Sequence, residues 1–309
     1  MSLLVYPILL FCLIALPFVL SGPFYIHTMI LTMVNVVLAS SMRLINLSGQ
    51  MSLAHGGMVT IGAYTSALLV LKLGFNSWAA FLCAGVFAAV FATLIGIPFV
   101  RMKGVYFALS TIFLSEMIVL IAQQWESLTG GSGGIYNIPR PQPVLFFDFA
   151  AKRDFYFLAL LLMMVSLIVI YSIERSRVGL TLKAIKQSDS LSESLGVNTA
   201  WYRVMIFAVG CFFAGLAGAF HAQYVSTISP DSFAFLFTIY ILIYVVVGGQ
   251  QAFIGPVIGA IVLTLLPEVT RAFKEYVPFL VAAVLIAVIF FMPDGLAGIP
   301  SRIRKAVRR

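Results

Sequence analysis

The sequence predicts an all-α fold: a polytopic transmembrane helix bundle of about ten spans with both termini cytoplasmic. Three observations carry this. Hydrophobic residues fill 61% of 309 positions, charged residues only 10%, and mean hydropathy is +1.06, more apolar surface than a soluble domain of this length can bury. Ten apolar runs, at 3–20, 24–45, 51–71, 78–100, 105–125, 155–173, 202–225, 233–249, 252–268 and 277–292, approach the roughly 20 residues that span hydrocarbon. None alternates apolar and polar residues as barrel strands would, and in lipid only helices and closed barrels pair every backbone polar group.

The first run lacks a basic leader, holds Pro7 and Pro17, and precedes no A-x-A site, so it reads as a membrane helix rather than a cleaved signal. The second carries Asn35, a hydrogen-bond anchor. A polar, glycine-bearing segment, Asn46 to Gly57, then interrupts the apolar pattern. The fourth run places Ala80, Ala84, Ala88, Ala92 and Gly96 on one helical face, a stripe that lets helix backbones approach closely in lipid. The seventh repeats the device with Gly210, Ala214 and Gly218, beside Gly215 and Ala219, and the ninth has Gly255 and Gly259. A second break, Gly248-Gly249-Gln250-Gln251, precedes the ninth run. Both breaks hold Gly-Gln ahead of a glycine-containing helix start, and the helices after them cross in the same direction, as in a weak internal repeat. Transporters place sites where helices are discontinuous. Two ordinary turns are the alternative. Asn46, Gln50, His55 and Gln250 are therefore candidate path residues.

Two interludes exceed ordinary connection lengths. The outer one, 126–154, holds Thr129-Gly130-Gly131-Ser132-Gly133-Gly134 followed by Pro139, Pro141 and Pro143. Its glycines permit positive φ and expose backbone N–H groups. Partner or solute docking and a plain flexible turn are both open. The inner one, 174–201, places Ala184, Ser188, Leu191 and Leu195 on one helical face and ends at Gly196, predicting a short amphipathic helix parallel to the membrane. Such a helix binds either lipid alone or a groove in a cytoplasmic protein.

With the inner interlude inside, 13 of the 19 Lys and Arg residues face the cytoplasm, Arg43, Arg101 and Lys103 among them, and 6 face out, as the positive-inside rule requires. The tail, 302–309, is basic and suits anionic headgroups. The positive residues sit at helix ends, which argues against nucleic-acid binding. Cys12, Cys83 and Cys211 are isolated in apolar runs and read as packing residues. Scattered His27, His55 and His221 make no metal site. No dinucleotide fingerprint, P-loop or metalloprotease motif is present, so the chain has no recognisable means of hydrolysing ATP. Glu116 sits mid-span without a basic neighbour. A charge at that depth costs roughly 2.5–3.5 kcal/mol, so Glu116 either lines the translocation path or fixes helix packing.

Several segments together resemble the branched-chain amino acid ABC permease family. They are Asn46-Leu47-Ser48-Gly49-Gln50, Ser52-Leu53-Ala54-His55-Gly56, Ile61-Gly62-Ala63-Tyr64, Lys103-Gly104-Val105-Tyr106-Phe107-Ala108 leading to Glu116, Leu128 through Ile135, Ala214 through Ala219, Val247 through Ala260, and Pro293-Asp294-Gly295-Leu296. The resemblance covers nearly the whole chain. It implies one permease domain, 1–301, in a bacterial inner membrane, importing branched-chain or related hydrophobic amino acids. The implied partners are a second homologous permease, two cytoplasmic ABC ATPases that carry ATP and Mg, a periplasmic substrate-binding protein and membrane lipid. The chain itself would be no enzyme and bind no cofactor. Within the resemblance, Ala184, Asp189, Leu191, Glu193, Leu195 and Gly196 form the ATPase-coupling element, and Gly130, Gly131, Gly133 and Gly134 are candidates for docking the binding protein. Ser190, Ser192 and Ser194 stand where alanines are commoner in the family, implying a less rigid coupling helix. A gradient-driven transporter or channel for a small polar solute is the alternative, weakened by the solitary Glu116. An intramembrane enzyme using Glu116 with His55 or His221 lacks its aqueous motifs.

Overall fold

A computed structural model describes residues 16–17, 22–143, 149, 151–269, 282–283, 285–286, 290, 292 and 295–298. Its described residues form helices α1 (Pro23–Asn46), α2 (His55–Leu73), α3 (Ser77–Phe99), α4 (Val105–Gln124), α5 (Glu126–Thr129), α6 (Lys152–Arg175), α7 (Arg177–Gln187), α8 (Asp189–Ser194), α9 (Thr199–Val225), α10 (Phe235–Gly248) and α11 (Gly255–Val269). Among them the only strand-like pairing is one antiparallel bridge, Ile135 with Ile228. Among the described residues, seven helical segments are long and apolar enough to cross a membrane, with Pro230–Gly248 counted as one, and α11 is shorter. The expected runs 3–20 and 277–292 and the tail 302–309 lie outside the described residues.

Local chemistry sets the boundaries. Pro23 opens α1, where its missing N–H costs nothing. Gly74, at φ 63°, closes α2 in the left-handed conformation. The side chains of Asn76 and Asn198 accept the N–H groups of Trp78 at 2.9 Å and Trp201 at 3.1 Å, capping α3 and α9. α2 begins four residues later than the apolar run suggests, because Met51–Ala54 is not helical.

The small-residue stripe of α3 is its buried face. Ala80, Ala84, Ala88 and Ala92 are fully buried while Leu82, Val86, Val90 and Leu94 on the opposite face are exposed. The stripe packs on α9, the helix at the centre of the bundle. A Cβ on Gly215 would lie 2.6 Å from the Ala88 side chain, and one on Gly218 only 2.1 Å from the Val59 carbonyl of α2. α10 and α11 cross as closely at Gly248 and Gly259. Asn35 of α1 donates to Thr264 Oγ1 of α11 at 3.0 Å, the anchor expected of it. Cys211 is buried in the packing as expected, but Cys83 lies on the exposed side of α3, and Cys12 is outside the described residues.

The helices alternate between two ends. The arm end carries α7 and α8 and the loop joining α3 to α4. The far end carries α5 and the loops after α9 and α2. Both sequence breaks fall at the arm end, and α2 and α11 leave them in the same direction.

Candidate functional site

The break before α2 is built into the bundle. α2 starts with His55 fully buried, so its first N–H groups have no water. Hydroxyls from two other helices replace it: Leu53 N donates to Thr111 Oγ1 at 2.9 Å, Gly57 N to Ser115 Oγ at 2.6 Å, and Gly56 N to Thr238 Oγ1 at 3.1 Å. Glycine is needed at 56 and 57 because a Cβ there would lie 2.4 Å from Thr238 Oγ1 and 2.8 Å from Ser115 Cα. The backbone groups freed by this discontinuity are thus taken up by the protein itself. Ser115→Ala should cost about 1–3 kcal/mol by orphaning a buried N–H. A lowered unfolding temperature in detergent, with Ser110→Ala as the unaffected control, checks this.

The path candidates divide. Asn46, which opens the first break, and Gln250, within the second, meet: Asn46 Nδ2 donates to Gln250 Oε1 at 2.7 Å. The space beside Asn46, lined by Met42, Met51, Ser52, Leu242 and Val245, has no room for a water molecule. Gln50 is buried and donates to the carbonyls of Val100 and Met102, both at 3.3 Å, tying its turn to the end of α3. His55 Nε2 lies 3.1 Å from Ser41 Oγ. Glu116 stands apart on α4. Its Oε1 is buried without a partner, at the edge of a face that leaves Leu109, Phe113, Met117 and Leu120 exposed. Toward the far end a mostly apolar cleft of about 550 Å³ opens between α2, α3 and α4, lined by Tyr64, Leu68, Phe87, Ile121 and Trp125 among others.

The inner interlude folds as two helices rather than the single one expected. Ser188 is extended, at φ −157° and ψ 112°, so the face through Ala184, Ser188, Leu191 and Leu195 is broken there. Its hydroxyl instead accepts Leu191 N at 3.3 Å and starts α8. Ser192 and Ser194 donate to the carbonyls of Ser188 and Leu191 at 2.9 and 2.8 Å, so these serines make local bonds the alanines could not. Gly196, at φ 82°, ends α8 as predicted, with its N–H on the Glu193 carbonyl at 2.9 Å.

Asp189 and Glu193 hold α8 to the bundle. Asp189 pairs with Arg203 of α9 at 2.5 Å and with Lys103 at 2.9 Å. Burial opposes its ionisation, but the hydrogen bonds and charges of Arg203 and Lys103 outweigh this and keep the carboxyl below its usual range. Glu193 accepts from Thr199 Oγ1 at 2.7 Å. By contrast Leu191 and Leu195 are 62% and 76% exposed, and Ala184 of α7 is also exposed.

The glycine run of the outer interlude is an ordered turn. Gly130, Gly131 and Gly134 have φ 76°, 62° and 79°. A Cβ on Gly134 would lie 2.0 Å from the Ile228 carbonyl, where Ile135 and Ile228 exchange hydrogen bonds of 2.9 Å. Three of the four glycines are thereby explained by backbone geometry, while Gly133 meets nothing within 4 Å.

Arg43 does not face water, as its place among the arm-end charges suggests, but is 1% exposed. Its guanidinium grips Glu174 at 2.8 and 3.1 Å and donates to the carbonyls of Gln250 at 3.0 Å and Gln251 at 3.3 Å. Sequence reasoning missed this site because Glu174 lies 131 positions away. The available signal was a lone arginine one turn before Asn46, inside an apolar run. Among the described residues no cluster of His, Cys, Asp or Glu could hold a metal.

The described helices form a tightly packed, apolar bundle with a polar arm at one end, and the comparisons with known proteins give its class. Residues 24–293 match the family described as branched-chain amino acid transport system / permease component. The chain is 32% identical to the high-affinity branched-chain amino acid transport system permease protein LivM of Escherichia coli (strain K12), covering 92% of this chain and 72% of that protein. It is also 26% identical to permease protein LivH of the same strain, over 82% of this chain and 87% of that one. A probable LivM of Methanocaldococcus jannaschii is 21% identical over 70% of this chain and 67% of its own. No solved structure matches. The chain belongs to the branched-chain amino acid transport system permease family. It is a membrane permease subunit of an ABC importer, not an enzyme.

Proposed function

We propose that this permease imports branched-chain or related hydrophobic amino acids across a bacterial inner membrane by alternating access, powered by two ATPases docked on α7 and α8. The supporting observation is the construction of the arm. α8 is bolted to α9 by Asp189 and Glu193 while Leu191 and Leu195 stand bare, so a partner gripping the leucines moves the bundle with it. ATP and Mg reside on those partners, whose closure drives the cycle only by favouring one permease state over the other. The similarity to both LivM and LivH supports a pair of related permeases. Substrate class rests on the names of the relatives. The topology we favour has ten spans within 1–301, both termini and the arm in the cytoplasm, and the basic tail on lipid headgroups. A periplasmic binding protein meets the far end, where Gly130, Gly131, Gly133 and Gly134 shape an ordered turn.

Glu116 fits this reading as a residue of the subunit interface. A carboxyl beside an exposed apolar face is costly in lipid, and a second permease covering that face would shelter it next to the path. Glu116→Gln should leave assembly intact and lower uptake by about tenfold. Uptake kinetics matching the unmodified chain would remove Glu116 from the path. The reading as a whole is tested by purifying the tagged chain from its native membrane. A second permease and two ATPases should accompany it, and a branched-chain amino acid with the binding protein should stimulate ATP hydrolysis. Uptake that survives ATP depletion in an intact proton gradient would overturn it.

A further inference from the structure

Two residues singled out as path candidates, Asn46 and Gln250, belong to a polar cluster that reaches the arm, and this link is not explained by either residue's place in the sequence. From the arm, Lys183 of α7 pairs with Glu174 at 3.1 Å, and Lys186 of α7 donates to the Asn46 carbonyl at 3.3 Å. The turn after Asn46 rests directly on α7, since a Cβ on Gly49 would lie 3.4 Å from Lys186 Cα. In the middle, Arg43 holds Glu174 with both ends of its fork. On the other side, Arg43 binds the carbonyls of Gln250 and Gln251, and Asn46 binds the Gln250 side chain. Those carbonyls lie in the break between α10 and α11, where no helix supplies them with donors.

We propose that Arg43, Asn46, Glu174 and Gln250 form a coupling relay: positioning residues that carry displacement of the arm into the break between α10 and α11. The proposal rests on the reading of α7 and α8 as the ATPase-docking arm.

The chemistry favours a relay over a simple brace. A buried ion pair is a poor way to gain stability, because apolar residues of equal volume do as well or better. What it provides is a discrete arrangement. A bidentate arginine–carboxylate contact has tight angular requirements, so the cluster moves as a unit or breaks as a unit. Arg43 touches both the end of α6, from which the arm departs, and the break that leads into α11, where Tyr171 of α6 also packs edge-on against Phe253 at 5.1 Å between ring centres. The charges facing it are Glu174, Lys183 and Lys186, all from the junction of α6 with α7 or from α7 itself. Movement of α7 therefore acts on Arg43 through both its carboxylate partner and its lysine neighbours.

The test uses the complete transporter in proteoliposomes, measuring ATP hydrolysed per amino acid imported. Glu174→Gln should raise that ratio about tenfold while the hydrolysis rate stays within about twofold of the unmodified complex. Gln250→Leu leaves the ion pair intact and removes only the acceptor for Asn46, and it should raise the ratio in the same direction. Lys72→Gln, at the far end, should leave it unchanged. A ratio unaltered in both cluster variants would overturn the relay. If Glu174→Gln fails to assemble, Gln250→Leu alone decides the outcome. Failure of the unmodified chain to recruit ATPases would instead defeat the docking-arm reading, and that result is visible before any variant is made.

Discussion

Replacing Leu191 and Leu195 together by aspartate should abolish uptake while the chain still accumulates in the membrane. Both side chains are more than half exposed, so the substitution removes no packing within the chain, and α8 keeps its anchors at Asp189 and Glu193. What it removes is an apolar pair that a groove in a partner would bury. Buried anchors at such interfaces cost 2 kcal/mol or more each when lost, and about 2.7 kcal/mol in all already means a hundredfold weaker complex. Recovery of ATPase with the tagged variant should therefore fall at least about a hundredfold. If the leucines touch only lipid, ATPase recovery stays normal and only the depth of the arm in the membrane changes. The single Gly196→Leu tests the same element more mildly. A side chain there meets nothing within 4 Å, but φ 82° disfavours any residue with a Cβ.

Gly218→Val should prevent the bundle from forming. Position 218 is where α9 crosses α2, and a Cβ would sit 2.1 Å from the Val59 carbonyl oxygen, 2.9 Å from its carbon and 3.0 Å from Ala63 N. All three are backbone atoms, so no side-chain rotation relieves the clash and the helices must separate. Overpacking that neighbours can absorb costs roughly 1–3 kcal/mol. Here the separation also pulls apart the contacts around Gly62 and Gly215, whose own Cβ atoms would clash with the facing helices. Loss of the folded chain from detergent extracts, set against normal recovery of Gly133→Ala, which faces open space, is the expected result. Normal recovery of Gly218→Val would mean that the crossing is looser than described.

The sequence revealed the elements whose logic is local or periodic. The α3 stripe was legible because alanine and glycine every fourth residue leaves one face able to approach another backbone, and that is the face buried on α9. Gly196 was legible as a stop because left-handed backbone at a helix end selects glycine. The break at Ser188 was not, since a serine either continues a helix or caps a new one, and tertiary anchors at Asp189 decide which. Thr111, Ser115 and Thr238 were equally silent. Hydroxyls in membrane helices commonly bond their own backbone, as Thr111 also does to the Phe107 carbonyl at 2.9 Å, and nothing local marks those that also accept from another helix. The Arg43 cluster draws on α1, α6, α7 and the α10–α11 break, so no single window of sequence contains it. Of the path candidates, only Asn46 and Gln250 are directly joined.

Whether α8 docks on an ATPase is decided by photo-cross-linking in native membranes from position 195, with a benzophenone placed on Leu195→Cys and the unsubstituted chain as control. One adduct with an ATPase is expected, its yield changing when ATP is bound. Labelling of position 195 by a membrane-impermeant reagent from outside the cell, with no ATPase adduct, would contradict that docking.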